Sequence, residues 1–351
     1  MDIIRPIHSD DLKDLIKLAK LTSYGMSSLP DDEEILQKRI LKSKDCFAKK
    51  TDEPRGETYL FALENLDKGK MIGVSGIVSK VGVGEPFYTY KIETAIHESE
   101  KLKVRKEIQV LTPVPEHNGP CEIGSLYLSP ENRKSGLGRF LSLSRFLFMA
   151  EYTTLFDPIV IAKMRGVIEK DGSSAFWDSV GKHFFDINYA EANYLSMINK
   201  QFIAELLPKY PIYIQLLPED AQKVIGKVHK NTKPALKILM DEGFKYDNRV
   251  SIFAAGPILC CNIRDIRSVK ESIKTTVAEI KDKKIKSELF IISNASMNYH
   301  ACLGHVKINS SGAVQLEKKA ATALKVKVGD PVRFVPLYPS HHHITKNREK
   351  E

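Results

Sequence analysis

The stretch that most constrains this chain runs from Glu122 to Ala150. Leu126-Tyr127-Leu128 has the apolar, aromatic character of a buried strand end, and Ser129-Pro130 breaks it. Arg133-Lys134-Ser135-Gly136-Leu137-Gly138 follows as a basic turn containing two glycines. Beyond it Phe140, Leu141, Leu143, Phe146, Leu147 and Ala150 recur at helical spacing. A strand, a glycine turn and a helix in succession aim free backbone N–H groups and a helix N-terminus at one point, which suits an anion.

The charge balance agrees with an anionic partner without naming it. Basic residues number 53 and acidic residues 44, a formal net charge of +9, and such an excess favours anions in general. The basic residues are dispersed, the densest cluster being Lys281-Asp282-Lys283-Lys284-Ile285-Lys286. A nucleic-acid surface calls for a concentrated stripe interleaved with aromatics, so nucleic acid is not expected as a partner. No apolar run approaches the ~20 residues that cross a bilayer. The longest, Val250 to Cys261, is interrupted by Gly256-Pro257. The N-terminus carries Asp2 and Arg5 and no apolar signal core. The five cysteines (Cys46, Cys121, Cys260, Cys261, Cys302) are odd in number and show no C-x-x-C spacing. Reduced thiols, a cytoplasmic location and no membrane association are the expectations.

Read in order, residues 3–8 form an opening strand ended by Pro6, and Asp10 or Asp11 caps a first helix. Asp31 opens a second helix containing Ile35, Ile40 and Leu41. Thr58–Leu63 and Met71–Val81 read as a β-hairpin, and Phe87–Thr94 and Val104–Leu111 as further strands. Thr112 to Pro120, with Pro113, Pro115 and Pro120, reads as a loop. Pro158–Met164 is a short buried strand. Ser173–Val180 reads as a helix that leads through Gly181 to a last strand at Phe184-Phe185. Asn231 caps a helix with Leu236, Leu239 and Met240 on one face, and Gly243 ends it in a left-handed conformation. Ile266–Ile280 reads as a basic amphipathic helix, and the segments after Leu289 as strands of a small β module, among them the strand–turn–strand pattern of Leu324 to Val332.

Strand, Arg133-x-x-Gly136-x-Gly138, helix, strand and short helix is the order of the acyl-CoA N-acyltransferase superfamily, which this chain resembles. Longer blocks narrow the resemblance. They include Ser28-Leu29-Pro30, Arg145-Phe146-x-Phe148-Met149-Ala150 and Met164-Arg165-Gly166-Val167-Ile168. Phe202-Ile203-Ala204-Glu205-Leu206 and Ala221-Gln222-x-Val224-Ile225-Gly226-x-Val228-His229 belong with them. From residue 3 to about 335 the chain is similar to the bacterial arginine N-succinyltransferase family. The resemblance implies an α/β (α+β) fold with an acyl-CoA N-acyltransferase-like mixed sheet flanked by helices, and the endings at Gly181 and Gly243 suggest a second half-copy. The expected division is an acyltransferase-like domain over 1–190 and a second acyltransferase-like half over 191–265 that completes the site. A C-terminal helix and small β module span 266–338, and a disordered tail spans 339–351.

The implied reaction moves a succinyl group from succinyl-CoA to the α-amino group of L-arginine, with succinyl-CoA as co-substrate and no permanently bound cofactor. The anion at the glycine turn is then the coenzyme A pyrophosphate, held by Arg133, Lys134, Ser135, Gly136, Leu137 and Gly138. Carbonyl polarisation falls to a backbone N–H at Leu126 or its neighbour Leu128, the family's succinyl-CoA contact pointing to Leu126. The family's proton donor falls on His229, whose ordinary pKa near ~6.5 suits that work. Glu122 is the candidate base. A guanidinium needs carboxylates, from Glu205, Asp178 or Glu169, and the substrate carboxylates need cations, from Arg165, Lys209 or Arg145. Arg165 and Glu205 are the leading pair. His341-His342-His343 has no spaced partner ligands, so no metal is expected. The family further implies a homo- or hetero-dimer. Two alternatives stay open: a related N-acyltransferase using ornithine, another amine or another acyl-CoA, and a non-catalytic regulator that binds coenzyme A or an amino acid.

Overall fold

The computed structural model describes residues 1–22, 26–49, 51–133 and 136–339. Lys134, Ser135, the Tyr24-Gly25 part of the first loop and the tail from residue 340, with its three histidines, lie outside the described residues. Strand β1 (Asp2–Pro6) leads into helices α1 (Leu12–Lys20) and α2 (Glu33–Ala48). Asp32, one residue later than expected, caps α2, its side chain accepting from the Ile35 N–H at 3.0 Å. An antiparallel run follows: β2 (Thr58–Asn65), β3 (Lys70–Val78), β4 (Phe87–Ser99) and β5 (Val104–Glu116). Strand β5 continues through Pro113 and Pro115, where the prolines predict a loop. Past Leu111 it pairs with β4 alone, so prolines there cost no ladder bond on the open edge.

Then come β6 (Cys121–Leu128), α3 (Leu137–Glu151) and β7 (Ile159–Lys163), as the opening stretch predicts. Short helices α4 (Ala175–Ser179), α5 (Lys182–Phe185), α6 (Tyr189–Ile198) and α7 (Gln201–Leu206) lead to strand β8 (Ile212–Tyr213). Helices α8 (Glu219–Val224) and α9 (Lys233–Asp241), strands β9 (Lys245–Ser251) and β10 (Pro257–Asn262) and helix α10 (Arg267–Lys270) come next. The rest is β11 (Ile273–Lys281), β12 (Phe290–Asn294), β13 (Ala301–Gly304), β14 (Val306–Ile308), β15 (Val314–Glu317), α11 (Lys318–Leu324) and β16 (Pro331–Pro336).

Several local expectations are corrected. Segment 266–280 is a four-residue helix followed by strand β11, not one amphipathic helix. Ile273, Thr275, Thr276 and Val277 are β-branched, and pairing with β16 outweighs the helical spacing of the lysines. Only the second arm of Leu324–Val332 is a strand; the first ends α11, with Lys325 left-handed at φ 57°. Phe184-Phe185 lies in α5, and Gly181 is right-handed at φ −58°. Gly181 is small for another reason, since a Cβ there would overlap the Trp177 ring. Gly243 alone of the two takes the left-handed form, at φ 98°. Asn231 does not cap the following helix; its own N–H donates to His229, which caps the short turn before α9.

All the described strands join one mixed sheet in the order β14-β15-β11-β16-β12-β13-β1-β2-β3-β6-β7-β10-β9-β4-β5-β8. Only β6–β7 and β11–β15 are parallel pairs among them. Helices flank the sheet, and α3 is the most enclosed, with Arg139 through Met149 all buried. It packs against β3 and β6 and also against β12 and β16. A helix apolar on every side must be enclosed, and each fully buried Leu or Phe contributes about 1.5–3 kcal/mol. The anchored α3 is what sets the position of the turn at its N-terminus. Among the described residues no helix is long and apolar enough to cross a membrane.

Candidate active site

Strands β6 and β7 pair only at Cys121–Val160 and Glu122–Ile161, and past that point they part. The gap opens into a cleft of about 1220 Å³, walled by Glu122–Leu128 on one side and Ala162–Gly166 on the other. Between the Val74–Tyr127 and Gly76–Gly124 pairs, Ser75 of β3 faces two residues of β6, Ser125 and Leu126. This is a β-bulge, and Ser125 adopts φ 52° to make it. The bulge turns the backbone of β6 at the mouth of the gap, where Leu126 and Leu128 both line the cleft.

The glycine turn stands at the end of this wall. Gly136 caps α3 in a left-handed conformation at φ 79°, and the first helical bond runs from the Phe140 N–H to its carbonyl at 2.9 Å. The N–H groups of Leu137, Gly138 and Arg139 therefore have no partner inside the helix and carry its positive dipole end. A Cβ on Gly138 would meet nothing nearer than Leu128 at 3.9 Å. The protein itself does not require glycine at 138, so the open approach to the helix end is the feature that it preserves. Arg133 lines the cleft, its Nε donating to the Leu128 carbonyl at 3.0 Å and its guanidinium lying 5.4 Å from the Tyr127 ring centre. From the other side the C-terminal segment closes on the turn. Tyr338 Oη stands 3.1 Å from the position of a Gly136 Cβ, and Arg139 donates to the Leu337 carbonyl at 2.7 Å and to Asp241 at 2.9 Å.

Beneath the bulge lies Arg145, 2% exposed. Its guanidinium donates to the carbonyls of Gly124 at 3.2 Å, Gly76 at 3.4 Å and Ser142 at 3.0 Å, and to Ser142 Oγ at 3.0 Å. Burial pushes its pKa down to about 9, so it stays charged at neutral pH. It forms no ion pair with a carboxylate among the described residues. A cation held by backbone carbonyls in this way leaves a positive potential directly under β6.

Around the cleft the charges are unequal. Arg39, Lys42, Arg133, Arg145, Lys163, Arg165 and Lys200 line it, and Glu122 is the sole acidic side chain to do so among the described residues. Burial pushes the Lys200 ammonium below its ordinary value, Lys163 adds to the effect and Glu122 opposes it. Arg39 on α2 donates to Ser125 Oγ at 3.2 Å.

The fourth side is built from residues distant in sequence. Gly166 and Gly256 let two backbone segments touch, since a Cβ on either would collide with the carbonyl of Ala254 or Met164. Against that pair the 224–232 segment is pinned by two bonds, Gly226 N–H to the Ala255 carbonyl and His229 N–H to the Arg165 carbonyl, each 2.9 Å. Asn231, Thr232, Pro234 and Ala235 reach the cleft, whereas half-buried His229, two residues before them, is not among the residues that line it. His229 Nδ1 accepts from the Asn231 N–H at 3.2 Å, which leaves the ring proton on Nε2. Burial lowers its pKa below the ordinary 6.5, Arg165 and Lys230 lower it further, and Glu169 opposes them. The imidazole is neutral at pH 7. Arg165 lines the cleft, whereas Glu205 lies outside it on α7, where it accepts from Gln201 at 2.7 Å.

With this geometry in view, a family profile described as the arginine N-succinyltransferase beta subunit matches residues 2–268, and one described as the C-terminal domain of that subunit matches 273–336. The chain belongs to the arginine N-succinyltransferase family. An arginine N-succinyltransferase of Yersinia pseudotuberculosis is 40% identical over 343 residues, 95% of this chain and 97% of the relative. The arginine N-succinyltransferase subunit beta of Pseudomonas aeruginosa is 38% identical over 337 residues, 95% and 98% of the two chains. A solved structure of arginine/ornithine succinyltransferase subunit AI from Pseudomonas aeruginosa superposes with a TM-score of 0.88 at 34% identity, covering 97% of this chain and 99% of that one.

Within this family frame the structure adds residues that motif reading did not single out, namely Arg39, Lys42, Lys163 and Lys200. Arg39 and Lys42 had one available signal. They sit three apart on α2, off the stripe of Leu36, Ile40, Ser43 and Cys46 that faces the core.

Proposed function

We propose that this protein transfers a succinyl group from succinyl-CoA to the α-amino group of L-arginine, giving N2-succinyl-L-arginine and free coenzyme A. Family membership makes the chain an acyltransferase acting on an acyl-CoA and an amine. The observation that carries the finer reading is the parting of β6 from β7 beside a bulge at Ser125–Leu126, with a helix N-terminus at its far end.

In this reading the pyrophosphate rests on the N–H groups of Leu137 and Gly138 at the Gly136 turn, with Arg133 beside it and with Lys134 and Ser135 completing the loop. The pantetheine arm lies along β6 as an added strand, using backbone groups that β7 leaves unpaired past Glu122, with Leu128 as its outer contact. The thioester oxygen accepts from the Leu126 N–H, and Arg145 below adds positive potential where negative charge develops. Arg165 meets a substrate carboxylate. The amine nitrogen bonds to the acyl carbon and the carbon–sulfur bond breaks. The α-ammonium gives its first proton to solvent through Glu122, directly or by way of a water. The second proton leaves to solvent as the nitrogen becomes an amide. His229, with its proton on Nε2, acts as the donor to the departing coenzyme A thiolate, holding it by a hydrogen bond until solvent returns a proton. No covalent enzyme intermediate is required. The partner copy implied by the family, in a homo- or hetero-dimer, belongs to the same proposal.

Thiol release from succinyl-CoA plus arginine, with mass identification of the amide, tests the reading. Release only with ornithine or another amine moves the acceptor, and coenzyme A binding without turnover points to a regulator.

A further inference from the structure

The cations of the cleft fall into two groups along β6. Arg133 and the α3 N-terminus stand past Leu128, at the end where the pyrophosphate is placed. Arg39 touches Ser125, at the bulge itself. Each strand residue advances about 3.3 Å, so Ser125 and Leu128 are roughly 10 Å apart along the strand. A thioester carbonyl at Leu126 therefore has its pantetheine running toward Leu128 and its acyl tail pointing toward Glu122 and Arg39.

Arg39 is presented rather than consumed. On α2 it shares a cleft-facing stripe with Ile35 and Lys42. Its only described side-chain partner is the Ser125 hydroxyl at 3.2 Å, and no carboxylate pairs with it among the described residues. Burial pushes its pKa down, and Glu122 only partly opposes this. A second, smaller cavity of about 70 Å³ adjoins it, lined by Ser28, Arg39, Thr58, Glu122 and Ser125 among others. That space holds a few waters or a short polar chain end, not a coenzyme. Lys42 and Lys200 add positive charge at the same end of the cleft.

We infer that Arg39 and this small cavity form the subsite for the terminal carboxylate of the acyl group, so that Arg39 selects a dicarboxylic acyl donor over a monocarboxylic one. The inference rests on the succinyl-transfer reading above. A planar guanidinium offers paired donors that match a carboxylate, and Ser125 holds it in the required plane. An uncharged acyl chain in the same place would leave the cation without its counter-charge, which penalises the wrong donor.

The test compares four substrate pairs on wild-type protein, Arg39→Gln and Arg39→Lys. Donors are succinyl-CoA and butyryl-CoA, which lacks the carboxylate; acceptors are arginine and agmatine, which lacks the α-carboxylate. In Arg39→Gln the succinyl-over-butyryl preference in kcat/KM is expected to fall on the order of 10²-fold. The arginine-over-agmatine preference and the affinity for free coenzyme A should stay unchanged, and Arg39→Lys should recover part of the donor preference. An unchanged donor preference, or equal losses with both donors, overturns the subsite. A loss in the arginine-over-agmatine preference instead assigns Arg39 to the acceptor and also overturns it. If wild-type protein transfers no succinyl group to arginine, the functional reading fails first, and that outcome is visible before any variant is made.

Discussion

The two sides of the cleft are made differently. The donor side is nearly continuous in the chain, with β6, the glycine turn and α3 following one another from Cys121 to Glu151. The other sides gather Arg39 from α2, Lys200 from the α6–α7 region, Arg165 after β7 and, before α9, Asn231 and Thr232, with His229 beside them and bonded through its N–H to the Arg165 carbonyl. A local motif can carry the first because its parts are joined by short backbone geometry. The second depends on backbone contacts between distant segments, above all the glycine-to-glycine approach at Gly166 and Gly256.

This contrast predicts separable defects. The largest effect is expected on the assembled side: His229→Ala should lower kcat by roughly 10²–10⁴-fold while coenzyme A affinity is kept. An unaltered kcat would remove His229 from the proton path and leave the cleft without its assembled chemistry. Gly136→Val breaks the donor side instead. It forces a β-branched residue into φ 79° and against Tyr338 and Leu337, so a loss of about 2–4 kcal/mol in unfolding free energy should accompany weaker coenzyme A binding. Denaturant melts that match wild type would show that the turn can relax.

Gly138→Ala sharpens the comparison, because nothing in the protein opposes the added methyl group. Stability should hold or rise slightly while the dissociation constant for coenzyme A rises about tenfold, as expected if the open space serves a phosphate. Unchanged affinity would move the pyrophosphate elsewhere. The pH profile offers a finer check. His229 has its pKa lowered by burial and by Arg165, so its neutral form, with Nδ1 accepting from the Asn231 N–H, prevails at pH 7 and is lost as pH falls through a value below 6.5, where a proton on Nδ1 breaks that bond. An acid limb in kcat is expected there and should vanish in the residual activity of His229→Gln. A limb that survives belongs to another group. The smallest effect is assigned to Glu205→Gln, a change outside the cleft that should alter stability by less than about 0.5 kcal/mol and leave the KM for arginine unmoved. A raised KM would restore Glu205 as a guanidinium contact.

The Arg133-x-x-Gly136-x-Gly138 pattern was legible because each element is set by neighbours within a few residues. The same local logic misled at 266–280, where the spacing of charged residues suggested a helix and cross-strand pairing with β16 decided for a strand. It misled at Gly181 too, whose smallness answers the Trp177 ring and not a helix end.

By itself the sequence determined the strand–turn–helix core, the family and the chemistry it performs, since these follow from local backbone preference and from long matching blocks. Tertiary structure alone decided where β6 and β7 part, which cations face the gap and how Arg145 comes to lie beneath the bulge, held by backbone carbonyls. It also carried the C-terminal strands into the same sheet and brought Tyr338 against Gly136. The physical reason is range. Turns and caps are settled by bonds a few residues long, whereas a charged cleft is the sum of side chains whose proximity exists only once the sheet has closed around α3.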